Sequence, residues 1–318
     1  MSNFAVGIDI GGTTTKFGIV DREGKILEQN RIPTNAHETV QGFISDLYEK
    51  LSPMIERVGG PSNFAGIGVG APNGNYYTGN IEHSANLKWK GIVPLASMLQ
   101  EKFNMKVKLT NDANAAAAGE QQYGCAKGLK DFITITLGTG VGSGIFIDGK
   151  IVLGHDGFAG ELGHTIIRPG GRLHKGTGIR GTLESYASAT GVRETALEML
   201  EQFPNEDSAL RLIPAEELTS EKVYDCAIQG DKIALEIFQF TGQLLGEALA
   251  NFVMFSSPEA IVLFGGLTKA GDLILNPTQE AMEANLCQVF KNKVKLVFSN
   301  LKEADAAILG ASALIWED

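Results

Sequence analysis

Two glycine-threonine turns are the segments of this sequence whose residue types best suit the binding of phosphate. Residues 9–16 (DIGGTTTK) follow the apolar run 4–8, and residues 137–144 (LGTGVGSG) follow the apolar run 132–136. Glycine lets backbone N–H groups approach an anion closely, and threonine hydroxyls add hydrogen-bond donors. Two such turns could hold a polyphosphate from both sides, so the pattern predicts a nucleotide-binding protein.

Neither turn has the sequence of the common nucleotide-binding loops. No G-x-x-x-x-G-K-[ST] motif occurs, and neither turn opens a helix as a dinucleotide fingerprint would. A single glycine-rich turn is most often structural, whereas two turns with matched threonines favour phosphate binding. The residues predicted to contact phosphates are Gly11, Gly12, Thr13, Thr14 and Lys16 in the first turn, and Gly138, Thr139 and Gly140 in the second.

Three further residues are candidates for the nucleotide site. Asp9 could be an ordinary carboxylate at a strand end, but beside bound phosphates it would serve as a water-mediated magnesium ligand. Gly265 and Gly266 follow the apolar run 260–264 and would let a flat ring lie against the backbone. Glycines that end strands are usually structural, and an adenosine site is the functional alternative for this pair.

The segment Asn111, Asp112, Asn114 concentrates amides and a carboxylate where a strand gives way to a helix. A helix N-cap explains one such residue, since Asn and Asp are frequent caps, but the set exceeds what one cap requires. A carboxylate here could accept the proton of a sugar hydroxyl as its oxygen attacks a phosphoryl group. We therefore predict Asp112 as the general base.

A second polar group lies further along the chain. Glu161 and His164 occur in the segment GELGH, and Glu184 begins a predicted helix. His164 alone would more often be a structural histidine. Together with Asn111 and Asp112, these side chains could give a hydroxyl-rich ligand the polar contacts that it needs, and Asn86 is a plausible additional member.

Alternating strands and helices must position these groups. Segments 4–32 and 132–153 share one order of strand, glycine-threonine turn, strand, tight turn and strand, which indicates duplication. The predicted helices are 37–58, 91–103, 112–123, 182–203, 220–229, 230–256, 276–288 and one from about 304. The alternation predicts an α/β fold with duplicated mixed sheets.

The predicted boundary between two domains lies within residues 111–131. We assign residues 1–120 to an N-terminal lobe with the first phosphate motif and Asp112, and residues 121–318 to a C-terminal lobe. The second lobe would hold the second phosphate motif, the sugar-contact residues and the adenosine site. The C-terminal helix, about 304–318, is expected to pack back onto the first lobe.

Composition narrows the class of protein. At 318 residues the chain is long enough for two domains, and its net charge of -10 argues against sequence-independent nucleic-acid binding. The three separated cysteines suggest reduced thiols rather than disulfides or a metal cluster. No signal peptide is evident and no apolar run approaches the ~18 residues of a membrane span, so we expect a cytoplasmic protein.

The ordered set of motifs resembles the ROK family of sugar kinases, within the actin, hexokinase and Hsp70 ATPase superfamily. The segments that carry the resemblance are 9–16, 70–72, 111–120, 137–144, 161–164, 183–188 and 265–266. The resemblance implies a two-lobed actin-like ATPase fold, related to ribonuclease H, with a cleft between the lobes. It also implies that Asp112 is the catalytic base, that the turns hold ATP phosphates with Mg²⁺, and that the sugar is contacted by Asn86, Asn111, Glu161, His164 and Glu184.

One departure from the family concerns a metal. Many members bind structural zinc through the histidine of the Glu-x-Gly-His motif and three cysteines of a C-x-C-G-x-x-G-C stretch. Here Lys175, Thr177 and Thr182 stand at the cysteine positions, and His164 alone cannot complete a four-coordinate site. We predict no structural zinc and expect hydrogen bonds and packing to hold loop 168–182.

The resulting hypothesis is an ATP-dependent hexose kinase that converts glucose to glucose 6-phosphate. N-acetylmannosamine, mannose and fructose remain alternative acceptors, and polyphosphate remains an alternative donor. A sugar-responsive regulator of the same family is disfavoured, because the chain enters the phosphate-binding lobe by residue 4 and is acidic. An ATPase that drives assembly or chaperoning is disfavoured by the polar sugar set. The resemblance and the long apolar helix 230–256 lead us to expect a homodimer, without nucleic-acid or membrane partners.

Overall fold

The computed structural model describes residues 2–316, and the chain forms two compact units. Unit 1 comprises Met1–Lys130, Gly144–Gly160 and Ser299–Asp318, and unit 2 comprises Asp131–Ser143 and Glu161–Phe298. The sequence predicts a single boundary after residue 120, whereas the chain passes between the units at 130/131, 143/144, 160/161 and 298/299.

Two five-stranded sheets have the same strand order. The strands are β1 (Phe4–Ile10), β2 (Thr14–Asp21), β3 (Ile26–Pro33), β4 (Phe64–Gly70), β5 (Ile81–Glu82), β6 (Ile92–Val93), β7 (Val107–Thr110), β8 (Phe132–Leu137), β9 (Val141–Ile147), β10 (Lys150–Ile151), β11 (Ala260–Phe264) and β12 (Lys295–Phe298). The first sheet has the order β3-β2-β1-β4-β7 and the second β10-β9-β8-β11-β12, while β5 and β6 pair separately. The repeated order confirms the predicted duplication.

Both sheets are mixed, as predicted. In the first, β1 pairs with β2 and β2 with β3 in antiparallel fashion, while β1 with β4 and β4 with β7 are parallel. In the second, β9 and β10 are antiparallel, and β8 with β11 and β11 with β12 are parallel. Because the carboxyl ends of parallel strands meet at one edge, β1, β4 and β7 bring their last residues together.

The helices follow the predicted segments closely. They are α1 (Val40–Arg57), α2 (Leu95–Phe103), α3 (Asp112–Tyr123), α4 (Glu184–Ala187), α5 (Ala189–Gln202), α6 (Ser220–Ile228), α7 (Lys232–Ser256), α8 (Asp272–Asn285) and α9 (Glu303–Ala313). The segment predicted as one helix over 182–203 is two helices. Helix α8 begins four residues before its predicted start and contains Pro277 in its interior.

Helix α9 lies directly on the first sheet in unit 1. A Cβ at Gly7 would lie 2.0 Å from the carbonyl oxygen of Ile308, and one at Gly68 would lie 1.8 Å from that of Ala311. No other residue type permits this approach of helix backbone to strand. Of the predicted C-terminal helix, residues 317 and 318 lie outside the described residues.

Each unit has its own apolar core. In unit 1, Phe17 from β2 and Phe43 and Leu47 from α1 are fully buried in one cluster. In unit 2, α7 packs along α8 and buries most of its apolar residues. The three cysteines are free thiols. Within residues 2–316, none of the helices has the length and apolarity that a bilayer crossing requires.

Candidate active site

The first glycine-threonine turn joins β1 to β2 in unit 1. The Gly11 N–H donates to the Thr14 carbonyl oxygen at 3.1 Å, which closes the turn. Thr13 is exposed at its tip. The buried Thr15 instead has its hydroxyl 2.7 Å from that of Thr34, so it serves the packing of the turn. Thr13 is therefore the threonine of this turn whose side chain solvent can reach most freely.

Asn86 lies against the first turn. A Cβ at Gly12 would come within 2.7 Å of the Asn86 carbonyl oxygen and 3.4 Å of its Cβ. Asn86 is exposed. The structure thus brings together two residues that the sequence separates by more than seventy positions, one predicted to contact phosphate and one predicted to contact sugar.

Asp9 and Asp112 meet at the carboxyl ends of the three parallel strands. Asp9 pairs with Gly70 across β1 and β4, and Gly70 pairs with Thr110 across β4 and β7. A Cβ at Gly70 would lie 3.9 Å from Asp9 Oδ1 and 3.7 Å from Asp112 Cα. The absence of a side chain at Gly70 leaves room for the two carboxylates as neighbours.

Electrostatics distinguishes these carboxylates from ordinary ones. Burial raises the pKa of Asp9 to about 6, the negative charge of Asp112 adds to this effect, and the Lys16 ammonium opposes it. Burial among protein atoms also raises the pKa of Asp112, against hydrogen bonds from backbone N–H groups, chiefly that of Ala113. Because Asp112 is nevertheless exposed to solvent, water screens part of its shift. Paired carboxylates with raised pKa values are typical of functional sites.

Asn111 is the N-cap of helix α3. Its side-chain oxygen accepts a hydrogen bond from the Asn114 N–H at 2.6 Å, and the residue is buried. Asn114 donates from Nδ2 to the Thr110 hydroxyl at 3.3 Å. The ordinary capping role is therefore real for Asn111, and its amide nitrogen can still donate to a ligand.

The second glycine-threonine turn joins β8 to β9 in unit 2. The Gly138 N–H donates to the Gly140 carbonyl oxygen at 3.0 Å, and the Gly142 N–H donates to the Thr136 hydroxyl at 3.1 Å. Thr139 is exposed at the tip, as Thr13 is in the first turn. Each turn therefore joins two strands and exposes one threonine, although the hydrogen bonds that close the two turns differ.

Glu184 lies beside the second turn. Its Oε2 accepts a hydrogen bond from the Val141 N–H at 2.6 Å, and a Cβ at Gly140 would lie 2.3 Å from the same oxygen. Its Oε1 lies 2.6 Å from Nε2 of His174. His174 is not among the site residues predicted from the sequence. The signal that could have indicated it is a histidine next to the altered cysteine positions of loop 168–182.

Glu161 and His164 belong to one short 3-10 turn of unit 2. Their side chains are 51% and 33% exposed, and Glu161 Oε2 lies 3.9 Å from His164 Nε2, too far for a hydrogen bond. Nδ1 of His164 is buried and has no hydrogen-bond partner within residues 2–316. The His164 and His174 rings are 5.5 Å apart, so His164, His174 and Glu184 form one cluster.

Gly265 and Gly266 follow β11 in unit 2, as predicted. Gly265 has a φ of 109°, a conformation that side chains rarely adopt, and a Cβ there would lie 2.7 Å from the Leu137 carbonyl oxygen. Gly265 therefore has a structural role, because it packs closely against Leu137, the first residue of the second turn. A Cβ at Gly266 would meet nothing within 4 Å, so its backbone has open space before it.

The residues at the family's cysteine positions do not fit a zinc ion of the family's kind. The Thr182 hydroxyl is fully buried and lies 2.8 Å from that of Ser185, and the Thr177 hydroxyl lies 2.7 Å from His174 Nδ1. Lys175 is exposed. A different set, His164, His174 and Glu184, could bring three donor atoms within 4.8 Å of one another. The absence of zinc stays a prediction.

Arg172 holds loop 168–182 to the helices that follow it. Its guanidinium is 11% exposed and makes two hydrogen bonds to Glu198, at 2.9 and 2.6 Å. It also donates to the carbonyl oxygens of Ser185 and Gly191 and lies over the Tyr186 ring at 4.6 Å. Hydrogen bonds and a cation–π contact thus connect the loop with α4 and α5.

The chain is similar in sequence and in structure to proteins of one family. The profile of the ROK family matches residues 5–318. A glucokinase of Halalkalibacterium halodurans is 35% identical over 98% of this chain and 94% of its own length. The structure of a ROK family glucokinase from Streptomyces griseus, in complex with glucose and AMPPNP, is 29% identical with a TM-score of 0.80 and coverage of 99% and 100%. A xylose repressor of Caldicellulosiruptor bescii is 28% identical over 98% of this chain and 78% of its own length.

Proposed function

The chain belongs to the ROK family, and from this premise we propose that it is an ATP-dependent hexose kinase that phosphorylates glucose at its 6-hydroxyl. The observation that carries the proposal is the pair Asp9 and Asp112, set on either side of Gly70 at the carboxyl ends of three parallel strands. The first glycine-threonine turn starts from the same strand end. A base and a phosphate-binding turn in one place suit phosphoryl transfer.

In this proposal Asp112 accepts the proton of the attacking sugar hydroxyl. Its raised pKa brings its basicity closer to neutral pH, where a general base works best. Exposure to solvent leaves the carboxylate open to a ligand. Phosphoryl transfer depends mainly on alignment and charge stabilisation, so the orientation of the hydroxyl is as important as removal of its proton.

The two turns would hold the phosphates of the donor. Thr13 and Thr139 are each exposed in their turn, so their hydroxyls can donate to phosphate oxygens. The N–H of Gly138 already donates to Gly140, which favours the N–H groups of Thr139 and Gly140 as the donors of the second turn. Gly11, Gly12, Thr14 and Lys16 remain the proposed contacts of the first turn, and Gly265 and Gly266 those of the adenosine.

The Asp9 and Asp112 pair fits a divalent cation. Burial and mutual repulsion make the two negative charges costly, and a cation would relieve that cost. Bound with ATP, Mg²⁺ would neutralise charge on the phosphates. Asp9 would hold it through water, while Lys16 balances part of the remaining charge. Neither the metal nor the donor changes the role proposed for Asp112.

The proposed sugar contacts are Asn86, Asn111, Glu161, His164 and Glu184. Carboxylates, amides and an imidazole can each bond to hydroxyls, but their types do not select one stereochemistry. Glucose is favoured by the similarity to glucokinases; N-acetylmannosamine, mannose and fructose are the alternatives.

A phosphorylation screen tests the proposal. Purified protein is given ATP or polyphosphate, with Mg²⁺, and each of glucose, mannose, fructose and N-acetylmannosamine. We expect sugar-dependent release of ADP, largest with glucose at the lowest sugar concentrations. Asp112→Asn is the matched control, since it preserves shape but removes the base. Hydrolysis of ATP at the same rate without sugar would contradict the proposal and favour an ATPase.

The similarity to a xylose repressor supports one other function, a sugar-responsive regulator. Such a protein would bind sugar without turnover. Calorimetry with each sugar, compared with the phosphorylation screen, separates the two functions. Sugar binding with no phosphorylation of any of these sugars would favour the regulator.

We also propose that the protein is a homodimer, for which light scattering should give twice the 33.9 kDa of the chain.

A further inference from the structure

The Glu184 carboxylate is held at both oxygens within unit 2. Oε1 lies 2.6 Å from Nε2 of His174, and Oε2 accepts from the Val141 N–H at 2.6 Å. Both side chains are largely shielded from water, at 20% exposure for His174 and 17% for Glu184. A carboxylate held at both oxygens cannot rotate about its last bond without losing a contact.

Thr177 determines which nitrogen of His174 carries the proton. The Thr177 N–H donates to His174 Nδ1 at 3.3 Å, and the Thr177 hydroxyl lies 2.7 Å from the same atom. Nδ1 is therefore an acceptor, and the ring proton of the neutral imidazole is on Nε2, the nitrogen that contacts Glu184. The tautomer that suits a carboxylate partner is thus selected inside the loop.

The backbone of His174 is fixed as well. Its N–H donates to the Ile179 carbonyl oxygen at 2.8 Å, and its carbonyl oxygen accepts from the Gly178 N–H at 2.8 Å. Leu173 and Arg180 form an isolated bridge just outside this turn. The ring is therefore presented from a closed hairpin, which gives the side chain a defined place from which to act on Glu184.

We propose that His174 is a positioning residue for sugar binding: it orients the Glu184 carboxylate, whose other oxygen is fixed by the second glycine-threonine turn. The proposal rests on the proposed function, in which Glu184 contacts the sugar. Thr177 acts one step further away, through the tautomer of His174. Loop 168–182 thereby affects recognition of the sugar through His174, which does not itself contact the sugar.

The test compares steady-state kinetics of single variants. In His174→Ala we expect the KM for glucose to rise about 10- to 100-fold, since contacts to a charged group are of that strength, with the KM for ATP changed less than about 2-fold. His174→Gln, whose amide can still donate, should recover part of the loss. Thr177→Ala should raise the glucose KM by a smaller factor. Lys175→Ala, an exposed change in the same loop, is the matched control and should leave both constants unchanged.

A double-mutant cycle tests whether His174 acts through Glu184. In a Glu184→Gln background, His174→Ala should change the glucose KM by less than about 2-fold, because the carboxylate that it orients is gone. Equal losses in both backgrounds would overturn the proposal. In the wild type, NMR should place the ring proton of His174 on Nε2; a proton on Nδ1 would likewise overturn it.

The remaining outcomes are also decisive. An unchanged glucose KM in His174→Ala, or equal rises in both KM values, would overturn the proposal and leave His174 a structural role. An effect of His174→Ala that requires added zinc and disappears with EDTA would assign the residue to metal binding, and also overturn it. A wild type that phosphorylates no hexose would overturn the proposed function and this proposal with it; that failure is seen before any variant is made.

Discussion

At the scale of single residues, Asp112 is subject to two opposed effects. As the first residue of helix α3 it lies at the positive end of the helix dipole, and the Ala113 N–H donates to its Oδ1 at 2.9 Å; both favour the charged carboxylate. Burial among protein atoms favours the neutral form, and the net direction is a raised pKa. Desolvation therefore exceeds the local stabilisation, which suits the proposed role of Asp112 as a general base.

Replacing Asp112 by Asn should lower kcat by ~10²–10⁴-fold, because general-base assistance is lost. The KM for ATP should change little. In the wild type, kcat/KM should fall as the pH drops through the raised pKa of Asp112, at higher pH than an ordinary carboxylate would give. Steady-state kinetics across the acidic pH range measures the loss of kcat in the variant and the pH dependence of kcat/KM in the wild type. The exposed Asp207→Asn is the control, and wild-type kcat in Asp112→Asn would remove the residue from this role.

Asp9 should decrease the stability of the metal-free protein above about pH 6. Its pKa is raised from 3.8 to about 6, so the folded state binds the proton more tightly than the unfolded state does. The full cost is present above pH 6, and it is lost as the pH falls towards 3.8. Asp9→Asn should therefore be more stable than wild type by about 1–3 kcal/mol at pH 8, with little difference near pH 4.

Urea unfolding with EDTA at the two pH values measures this difference. Mg²⁺ with ATP should reduce it at pH 8, because the cation stabilises the wild-type carboxylate and not the amide. An Asp9→Asn variant that is less stable than the wild type at pH 8 without metal would show that burial does not govern the pKa of this carboxylate. Asp21→Asn serves as a comparison on the same sheet.

At the scale of elements, Arg172 connects loop 168–182 to the helices that follow it. One guanidinium donates to Glu198, to two carbonyl oxygens and to the Thr195 hydroxyl, and these groups lie on α4 and α5. Arg172→Lys keeps the charge but has only three donors on one nitrogen and cannot reproduce the fork. We expect the free energy of unfolding to fall by about 1–3 kcal/mol and amide exchange over residues 168–182 to become faster.

Hydrogen exchange followed by mass spectrometry measures the loop directly. Arg180→Lys is the matched control, because Arg180 lies in the same loop, is exposed and donates to the Gly171 carbonyl oxygen. Equal exchange in the two variants would show that Arg172 does not hold the loop. A rise in exchange confined to Arg172→Lys would show that Arg172 holds the loop.

The sequence predicted the helices and strands far better than it predicted the contacts between side chains. Helix α3 begins at Asp112 as predicted, because an N-cap is a local signal that Asn111 supplies. The helix predicted over 182–203 breaks at Ser188, which is extended and accepts from the Gly191 N–H; a serine within a helical pattern was the signal for that break. The contact of His174 with Glu184 crosses an irregular loop, and neither periodicity nor propensity encodes such a contact.

At the scale of the whole molecule, local and net charge act against each other. Each unit presents a turn suited to phosphate, yet the chain carries a net charge of -10. A long polyphosphate extends beyond the turns, so many of its negative charges are repelled by the net negative charge of the protein. ATP with Mg²⁺ carries few negative charges and is repelled less. Lys16 is the cation that the sequence places in the two turns. The net charge therefore favours ATP as the donor.

Salt dependence distinguishes the two donors. Between about 0.01 and 0.1 M ionic strength the Debye length falls from about 30 to 10 Å, so repulsion between the protein and a polyanion weakens. We expect ATP to be the better donor at low salt, and the KM for polyphosphate to fall as salt rises. The KM for glucose, which is uncharged, is the internal control and should stay constant. A polyphosphate KM that rises with salt would mean that a local positive potential at the turns outweighs the net charge, and polyphosphate would then be a donor that the protein attracts.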